Sequence, residues 1–515
     1  MQTGRWLDLL VIALYIAAMA AVGLRFSRRQ KSTEDYFLAK RSVPAWAMGF
    51  SMVATLISSI AFVAYPGFAY AKDWSNLTPG FMVLITLGLA GRVIIPFYRQ
   101  EVGMSAYEYF ERRFGRPARV YASLMFLLAH FSKMGFVFYL TGLTIGGIAG
   151  WNVDYVIAGV CVAMLFYAMI GGIEAVIWTD VIQVFVCWAG VIVSLGYLLF
   201  LPPGGPSAVF ALAAANGKFS LGAPVLDFTK PTLPVLIIYG FFWYMQRYLA
   251  DQTVVQRYLV AKTDKAALRG VALGACLTLP VWTVFMLLGT CTWAFYKLTA
   301  EKLPAYITKA DQIFPHFIAT HLPPGVAGLF MASLIGAAMT MLASDLNSLA
   351  SVAIADFYTA AKPQSTDRQR LVAAKAMVAI AGILAAGTGI GLAHTTGSAL
   401  TMWFAASAIF SGGLCGLALL AFLSRRANRY GVYVGIAAST ACTVWAVLTK
   451  GAKPLVNLGS WNFPWDDLMI GAAGHMVMIA TAYAASWMFT APPAEVNRTI
   501  WDWLDRAAPD RAGSA

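Results

Sequence analysis

Long hydrophobic runs, most of 18 residues or more, recur along the chain and are separated by short polar connections. Runs of that length cross a bilayer as helices, whereas an outer-membrane barrel needs a period-two alternation that this chain lacks. The pattern places thirteen spans at about 5–26, 44–70, 78–98, 118–148, 152–170, 175–201, 232–255, 267–296, 324–356, 371–393, 398–422, 430–448 and 467–489. Several exceed the roughly 20 residues a crossing requires, so tilted or interrupted helices are expected. The first run follows only Gln2 to Arg5 and has no small-residue cleavage site, which predicts a retained helix. The reading is an all-α polytopic membrane protein, with residues 1–515 as a single transmembrane domain. Connections 202–231 and 297–323 are the longest and are expected to cover an outer vestibule. Near the C-terminus Ile500, Trp501 and Trp503 lie among Asp502, Asp505 and Arg506, the pattern of a short interfacial helix.

The second span departs from its apolar background. In SMVATLISSIAFVAYPG, residues 51–67, Ser51, Thr55 and Ser58 recur at four- and three-residue steps and share a helix face. Ser59 widens that stripe, and Pro66-Gly67 weakens the helix beyond it. Unsatisfied hydroxyl and backbone groups are costly in hydrocarbon, so the stripe should face protein or a water-filled cavity. A solute and ion site at mid-membrane meets that demand. Hydroxyls bonded back to the preceding turn or easing helix packing meet it too, and matching polar groups on other spans distinguish the two.

Charge follows the membrane. Only 12% of residues are charged, against about a quarter in an ordinary soluble protein. The net charge of +13 does not form a nucleic-acid surface, because 25 of the 37 Lys and Arg fall in connections on the side reached after the first span and nine on the other. This asymmetry predicts an outside N-terminus and a cytoplasmic C-terminus, in a bacterial inner (plasma) membrane. Arg92, Lys133 and Arg247 are left inside spans. Arg92 is near an inner end and can snorkel, whereas Lys133 is near the centre of its span. Asp180 and Asp345 are the clear intramembrane acids. An intramembrane charge marks a functional site or an ion pair. The six cysteines form no CxxC pair and the five histidines are scattered, so neither a disulfide framework nor a zinc site is expected. With no nucleophile–base pair either, an enzyme is not expected.

Five motifs occur in order: YPG (65–67), YEYFERRFG (107–115), GGIEAVIWTDVIQ (171–183), DQTVVQRYL (251–259) and LNSLASVAIADFY (346–358). Together they make at least residues 5–450 resemble the sodium:solute symporter family, sodium-coupled carriers for sugars, proline, sialic acid, vitamins and inorganic anions. The resemblance implies a leucine-transporter-type 5+5 inverted repeat. One unit would cover 44–201 and the other 232–422, with 5–26 as an extra helix, 430–489 as two additional helices and 490–515 as a cytoplasmic tail. The first helix of each unit would be broken at the midplane. Ser51–Gly67 suits the first break, and Gly240, Tyr244 and Gln246 mark the partner helix.

The resemblance also implies a Na⁺ site made by the carbonyls of Ala54, Ile57 and Ala337 and the side chains at 340 and 341. Na⁺ is a hard cation that takes oxygen ligands. Thr340 supplies one, but Met341 supplies only a thioether, so H⁺ coupling stays open beside Na⁺. Some members hold a second sodium between the acid of the WTD sequence and a serine, here Asp180 and Ser344. Asp345 adjoins them with three roles open to it: charge for a cation, proton acceptor, or ion-pair partner of Lys133 or Arg247.

In the family the fourth and seventh spans line the substrate cavity. Lys133 and Arg247, taken there as unneutralised cations, would suit a carboxylate or similar anion. Ser58, Ala61, Phe62, Trp243, Tyr244 and Trp403 are the expected wall residues. Ala61 stands where sugar-transporting members tend to carry a polar side chain. The expectation is a secondary active transporter working by alternating access, in which a cation gradient drives symport of a small organic anion. Lipid is its other partner, and no nucleic acid is expected. The competing readings are a proton-coupled or sodium-independent carrier of a neutral solute, and a non-transporting membrane sensor.

Overall fold

A computed structural model describes residues 6–27, 33–55, 57–305, 307, 310–394, 410, 412–451, 454–493 and 499–511. Among these residues the regular structure is helical, with one isolated parallel bridge between Val43 and Ala261. Helix α1 (Trp6–Ser27) is followed by the short α2 (Thr33–Leu38), the broken pair α3 (Ala45–Ala54) and α4 (Ser59–Ala71), then α5 (Thr78–Glu101). Next come α6 (Glu108–Phe114), α7 (Arg116–Ala149), α8 (Val153–Phe200) and α9 (Gly205–Ala215). A second broken pair, α10 (Leu233–Ala250) and α11 (Gln252–Val260), leads into α12 (Asp264–Thr299), α13 (Ile313–His321) and α14 (Val326–Val352). A π-helical turn (Ala353–Tyr358) joins α14 to α15 (Thr359–Ala361). The chain continues with α16 (Asp367–Ala393), α17 (Leu414–Leu423), α18 (Arg429–Thr449), α19 (Met469–Ser486) and α20 (Ile500–Arg511).

Seven described helical segments are long and apolar enough to cross a membrane unaided: α7, Ile173–Phe200 of α8, α12, Val326–Ala361, α16, α18 and α19. Several other apolar helices are shorter, and the second span is divided between α3 and α4. Helix α8 absorbs both predicted spans 152–170 and 175–201. Its 48 residues would extend about 72 Å at the helical rise, more than twice the ~30 Å hydrocarbon core. Most of the predicted span 398–422 lies outside the described residues, as does Trp403.

The first break falls inside the polar stretch of the second span. Thr55 is still right-handed helical, Ser58 is extended (φ −135°, ψ 176°), and the Phe62 N–H donates to the Ser58 carbonyl (3.1 Å) as α4 begins. The second break corrects the sequence reading. Gly240, Tyr244 and Gln246 lie within α10, and the chain opens at Asp251 (φ −89°, ψ 114°). There the Asp251 carboxylate caps α11 by accepting from the Thr253 N–H (2.8 Å). The seventh span therefore runs to Val260, five residues beyond the predicted end.

Packing follows the exchange expected of an inverted repeat. The broken pair α3–α4 packs on α12, the second helix of the other unit, and α10 packs on α5, the second helix of the first. Likewise α7 packs on α16, and α14 on α8. Such reciprocal pairing is what an in-plane two-fold axis produces. At the α4–α12 crossing, a Cβ at Gly289 would collide with the Pro66 carbonyl, so the close approach requires glycine. Helix α1 is tied to the N-terminus of α14, where the Asp8 carboxylate accepts from the Gly325 (2.6 Å) and Gly328 (2.7 Å) N–H groups.

The two long connections carry helices α9 and α13. Lys218, after α9, donates to the carbonyls of Ala69 (3.1 Å), Tyr70 (2.7 Å) and Lys72 (2.8 Å) at the end of α4. Helix α20, expected to lie at the membrane interface, is tied to its neighbours through side chains. Trp503 Nε1 donates to Gln100 (2.8 Å), Trp501 Nε1 donates to the Leu423 carbonyl (2.9 Å), and Arg425 pairs with Asp502 (3.1 Å) and Asp505 (2.7 Å).

Candidate functional site

The two helix breaks and α7 surround one polar region. Ser59, first residue of α4, donates its hydroxyl to the Val137 carbonyl (3.1 Å), one turn along α7 from Lys133. From the other side Arg247 Nη2 donates to Thr55 Oγ1 (3.3 Å), which lies at the first break. Arg247 Nη1 is 3.6 Å from Asp251 Oδ2, at the second break. One cation thus touches both interruptions.

The structure corrects the expectation that Lys133 and Arg247 stand unneutralised. Lys133 Nζ lies 2.9 Å from Asp345 Oδ2 and donates to Asp345 Oδ1 (3.1 Å). Arg247 is paired with Asp251 as described, so the partner of Asp345 is Lys133 and not Arg247. Between the two pairs lies His130, which sequence reasoning passed over. Its Nδ1 is 2.9 Å from Asp345 Oδ1 and its Nε2 is 3.5 Å from Asp251 Oδ2. The result is a chain of contacts, Lys133–Asp345–His130–Asp251–Arg247–Thr55, joining α7, α14 and both broken helices. The available signal was the spacing His130-x-x-Lys133, which puts both side chains on one face of α7. Asp345 thus has Lys133 and His130 on its carboxylate, the ion-pair arrangement among the roles open to it.

A second buried cluster contains a further residue that the sequence reading had placed in a connection. Arg257 is on α11 and wholly buried, as are Asp180, Ser344 and Ser51. Arg257 Nη2 lies 3.3 Å from Asp180 Oδ2 and donates to Ser344 Oγ (2.8 Å). Its Nε donates to Ser51 Oγ (3.1 Å), and its Nη1 donates to the Thr253 carbonyl (2.6 Å). Ser51 in turn donates to Asp180 Oδ2 (2.5 Å). The structure thus brings Asp180 and Ser344 together as candidate oxygen donors, and it puts a guanidinium between them. Asp180 Oδ1 is buried without a hydrogen-bond partner. One turn on, Gln183 accepts from the Thr340 hydroxyl and leaves its amide nitrogen buried and unpartnered. Free acceptor capacity remains at Asp180, where a small cation would need it.

For the other candidate cation residues, the Ile57 N–H closes back onto the Val53 (3.3 Å) and Ala54 (3.1 Å) carbonyls, and the Ile57 carbonyl precedes the first hydrogen bond of α4. Ala337, Thr340 and Met341 are buried along α14. Among the wall residues, Ser58 and Ala61 are buried, and the Phe62 ring packs edge-on against Phe285 (4.9 Å) and Phe330 (5.7 Å). Tyr244 accepts from Trp282 Nε1 (3.3 Å), and Tyr65 stacks on Trp282 at 4.4 Å. Trp243 is partly exposed and lies 5.5 Å from the Arg247 guanidinium, a cation–π contact.

Residues 36–438 match the sodium:solute symporter family. The chain is 32% identical over 491 residues to the sodium/sialic acid symporter NanT of Aliivibrio fischeri, covering 94% of this chain and 93% of that protein. It is 35% identical over 433 residues to the sodium/sialic acid symporter SiaT of Proteus mirabilis (82% and 86% covered). The sodium/glucose cotransporter of Vibrio parahaemolyticus matches at 30% over 460 residues (84% of each). A substrate-bound, outward-open structure of a Na⁺-coupled sialic acid symporter superposes with a TM-score of 0.87 at 31% identity, covering 94% of this chain and 98% of that one. The match to a family profile over most of the chain, and the full-length relatives at 30% identity or more, lead to one conclusion: this chain belongs to the sodium:solute symporter family, whose members are cation-coupled secondary carriers.

Proposed function

We propose that this protein is a Na⁺-coupled symporter of a small carboxylated solute, an acidic sugar of the sialic acid type, working by alternating access in a bacterial inner membrane. Its N-terminus lies outside and its C-terminus in the cytoplasm. The observation that carries the substrate reading is Lys133. It is a cation in the middle of a 34-residue helix, one turn from the contact between α7 and the broken helix α4. An intramembrane ammonium beside unwound backbone suits a carboxylate, and the relatives' sialic acid is a carboxylated sugar. Ser58 lies in the same break, Arg247 reaches it through Thr55 with Trp243 against its guanidinium, and Tyr244 and Ala61 complete the proposed wall.

Na⁺, as co-transported substrate, is held by the carbonyls of Ala54, Ile57 and Ala337 and the Thr340 hydroxyl. Met341 withholds one oxygen. Met341→Ser is therefore expected to lower the half-saturating Na⁺ concentration about tenfold, the equivalent of one added favourable polar contact. Uptake into proteoliposomes at graded Na⁺ measures this, and an unchanged Na⁺ curve would remove position 341 from the site.

The direct test is thermal stabilisation of the purified protein by NaCl against choline chloride, with a sialic acid or a neutral sugar of similar size added. A Na⁺-specific rise, enlarged by the sialic acid alone, is expected. Equal enlargement by the neutral sugar would refute the carboxylate reading. A shift that follows pH and ignores Na⁺ would replace sodium with protons as the coupling ion.

A further inference from the structure

We propose that Asp345 is an internal counter-anion that stands in for the solute. It neutralises Lys133 in the empty carrier and yields Lys133 to the solute's carboxylate in the loaded one, while His130 keeps hold of Asp345 throughout. This rests on Lys133 as the carboxylate anchor.

A symporter's cycle has two crossings, one loaded and one empty. In both, an intramembrane ammonium left without a partner is heavily penalised. The solute can neutralise Lys133 only on the loaded crossing, so the empty return needs another anion. Asp345 has the required geometry. Lys133 lies within 2.9 and 3.1 Å of its two oxygens, as it would against a bound carboxylate. Asp345 also has a second holder. His130 Nδ1 sits 2.9 Å from Oδ1, and the far side of that ring faces Asp251, which is itself beside Arg247. Asp345 can therefore release Lys133 without being stranded.

Charge accounting extends the point. Lys133 and Arg247 face Asp345 and Asp251, with His130 between the two carboxylates. One carboxylate alone or one Na⁺ alone changes the charge of this region by one, whereas both together leave it as it was in the empty carrier. The site thus favours carrying both or neither, which is the thermodynamic content of coupling. His130 acts here as a positioning residue, since it touches Asp345 and not the solute.

The test compares two fluxes in proteoliposomes: Na⁺-driven net uptake of a labelled sialic acid, which needs the empty return, and sialic acid exchange with solute and Na⁺ on both sides, which does not. Asp345→Asn is expected to cut net uptake about tenfold or more, keep exchange within about threefold, and tighten sialic acid binding, because the competing anion is gone. Asp345→Glu restores net uptake towards wild type. If net uptake and exchange fall together in Asp345→Asn protein that still melts cooperatively, or if net uptake is unchanged, the counter-anion inference is wrong and the anchor reading stands. If Lys133→Gln binds sialic acid as wild type does, the anchor reading fails and takes this inference with it. Should Asp345→Asn not fold, Asp345→Ser, which also removes the anion, decides: net uptake depressed more than exchange supports the inference, and equal depression of both or an unchanged net uptake overturns it.

Discussion

Lys133→Ala is expected to abolish Na⁺-driven uptake of a carboxylated solute at physiological concentrations. The lost ammonium–carboxylate contact is a charge-assisted one, of about 1.5–3 kcal/mol in a protein setting. By the relation between free energy and affinity, that corresponds to a rise in half-saturating solute of roughly tenfold to more than a hundredfold. A neutral analogue lacking the carboxylate should bind wild type and variant equally weakly, which separates loss of the anchor from general damage. Lys133→Arg keeps the positive charge and offers a planar fork to a carboxylate, so it should retain binding even where turnover changes. Radiolabelled uptake and binding by the purified variants check this. Normal uptake by Lys133→Ala would remove the carboxylate anchor and the substrate class built on it.

The largest effect on stability is expected at Asp180 and Arg257. Both side chains are fully buried and paired at 3.3 Å, so solvent screens neither. Removing one partner of a buried pair typically costs about 3–5 kcal/mol, because the other charge stays uncompensated in a medium that cannot solvate it. Asp180→Asn should lower the melting temperature markedly, since Arg257 retains only neutral acceptors at Ser51, Ser344 and the Thr253 carbonyl. Replacing both partners by apolar residues of similar volume should recover most of the loss, as such replacements of buried ion pairs commonly do. The same variant tests a role in ion binding. If Na⁺ reaches the unpartnered Asp180 Oδ1, Asp180→Asn also raises the Na⁺ concentration needed to stabilise the protein. Melting temperatures titrated with NaCl read both effects, and an unaltered Na⁺ response would leave Asp180 with the ion pair alone.

The helical, membrane-spanning class was legible in the chain, because it is local. A run of apolar residues long enough to cross a bilayer needs no knowledge of its neighbours. The break in the second span came only with the family resemblance: the spacing of Ser51, Thr55 and Ser58 reads as one helix face ending near Pro66-Gly67, whereas α3 ends at Ala54, Ser58 is extended and α4 runs on through Pro66. Lys133, Asp180 and Asp345 stood out for a local reason as well: a charge inside a span is costly on its own account.

Tertiary structure alone decided their partners. Asp345 lies 212 residues from Lys133, and Arg257 lies 77 from Asp180. No periodicity within a helix encodes contacts at that range. Gln256 and Arg257 read as the start of a connection because hydropathy counts side chains one by one. They are buried because Asn347 and Ser348 face the first, and Asp180 and Ser344 the second, from other helices. His130 was silent in the sequence for a related reason, since an imidazole acquires a role only from the groups that converge on it. The reciprocal packing of the two five-helix units escaped the sequence as well. An inverted repeat conserves the path of the backbone through the membrane, and apolar side chains of many kinds fill the same path.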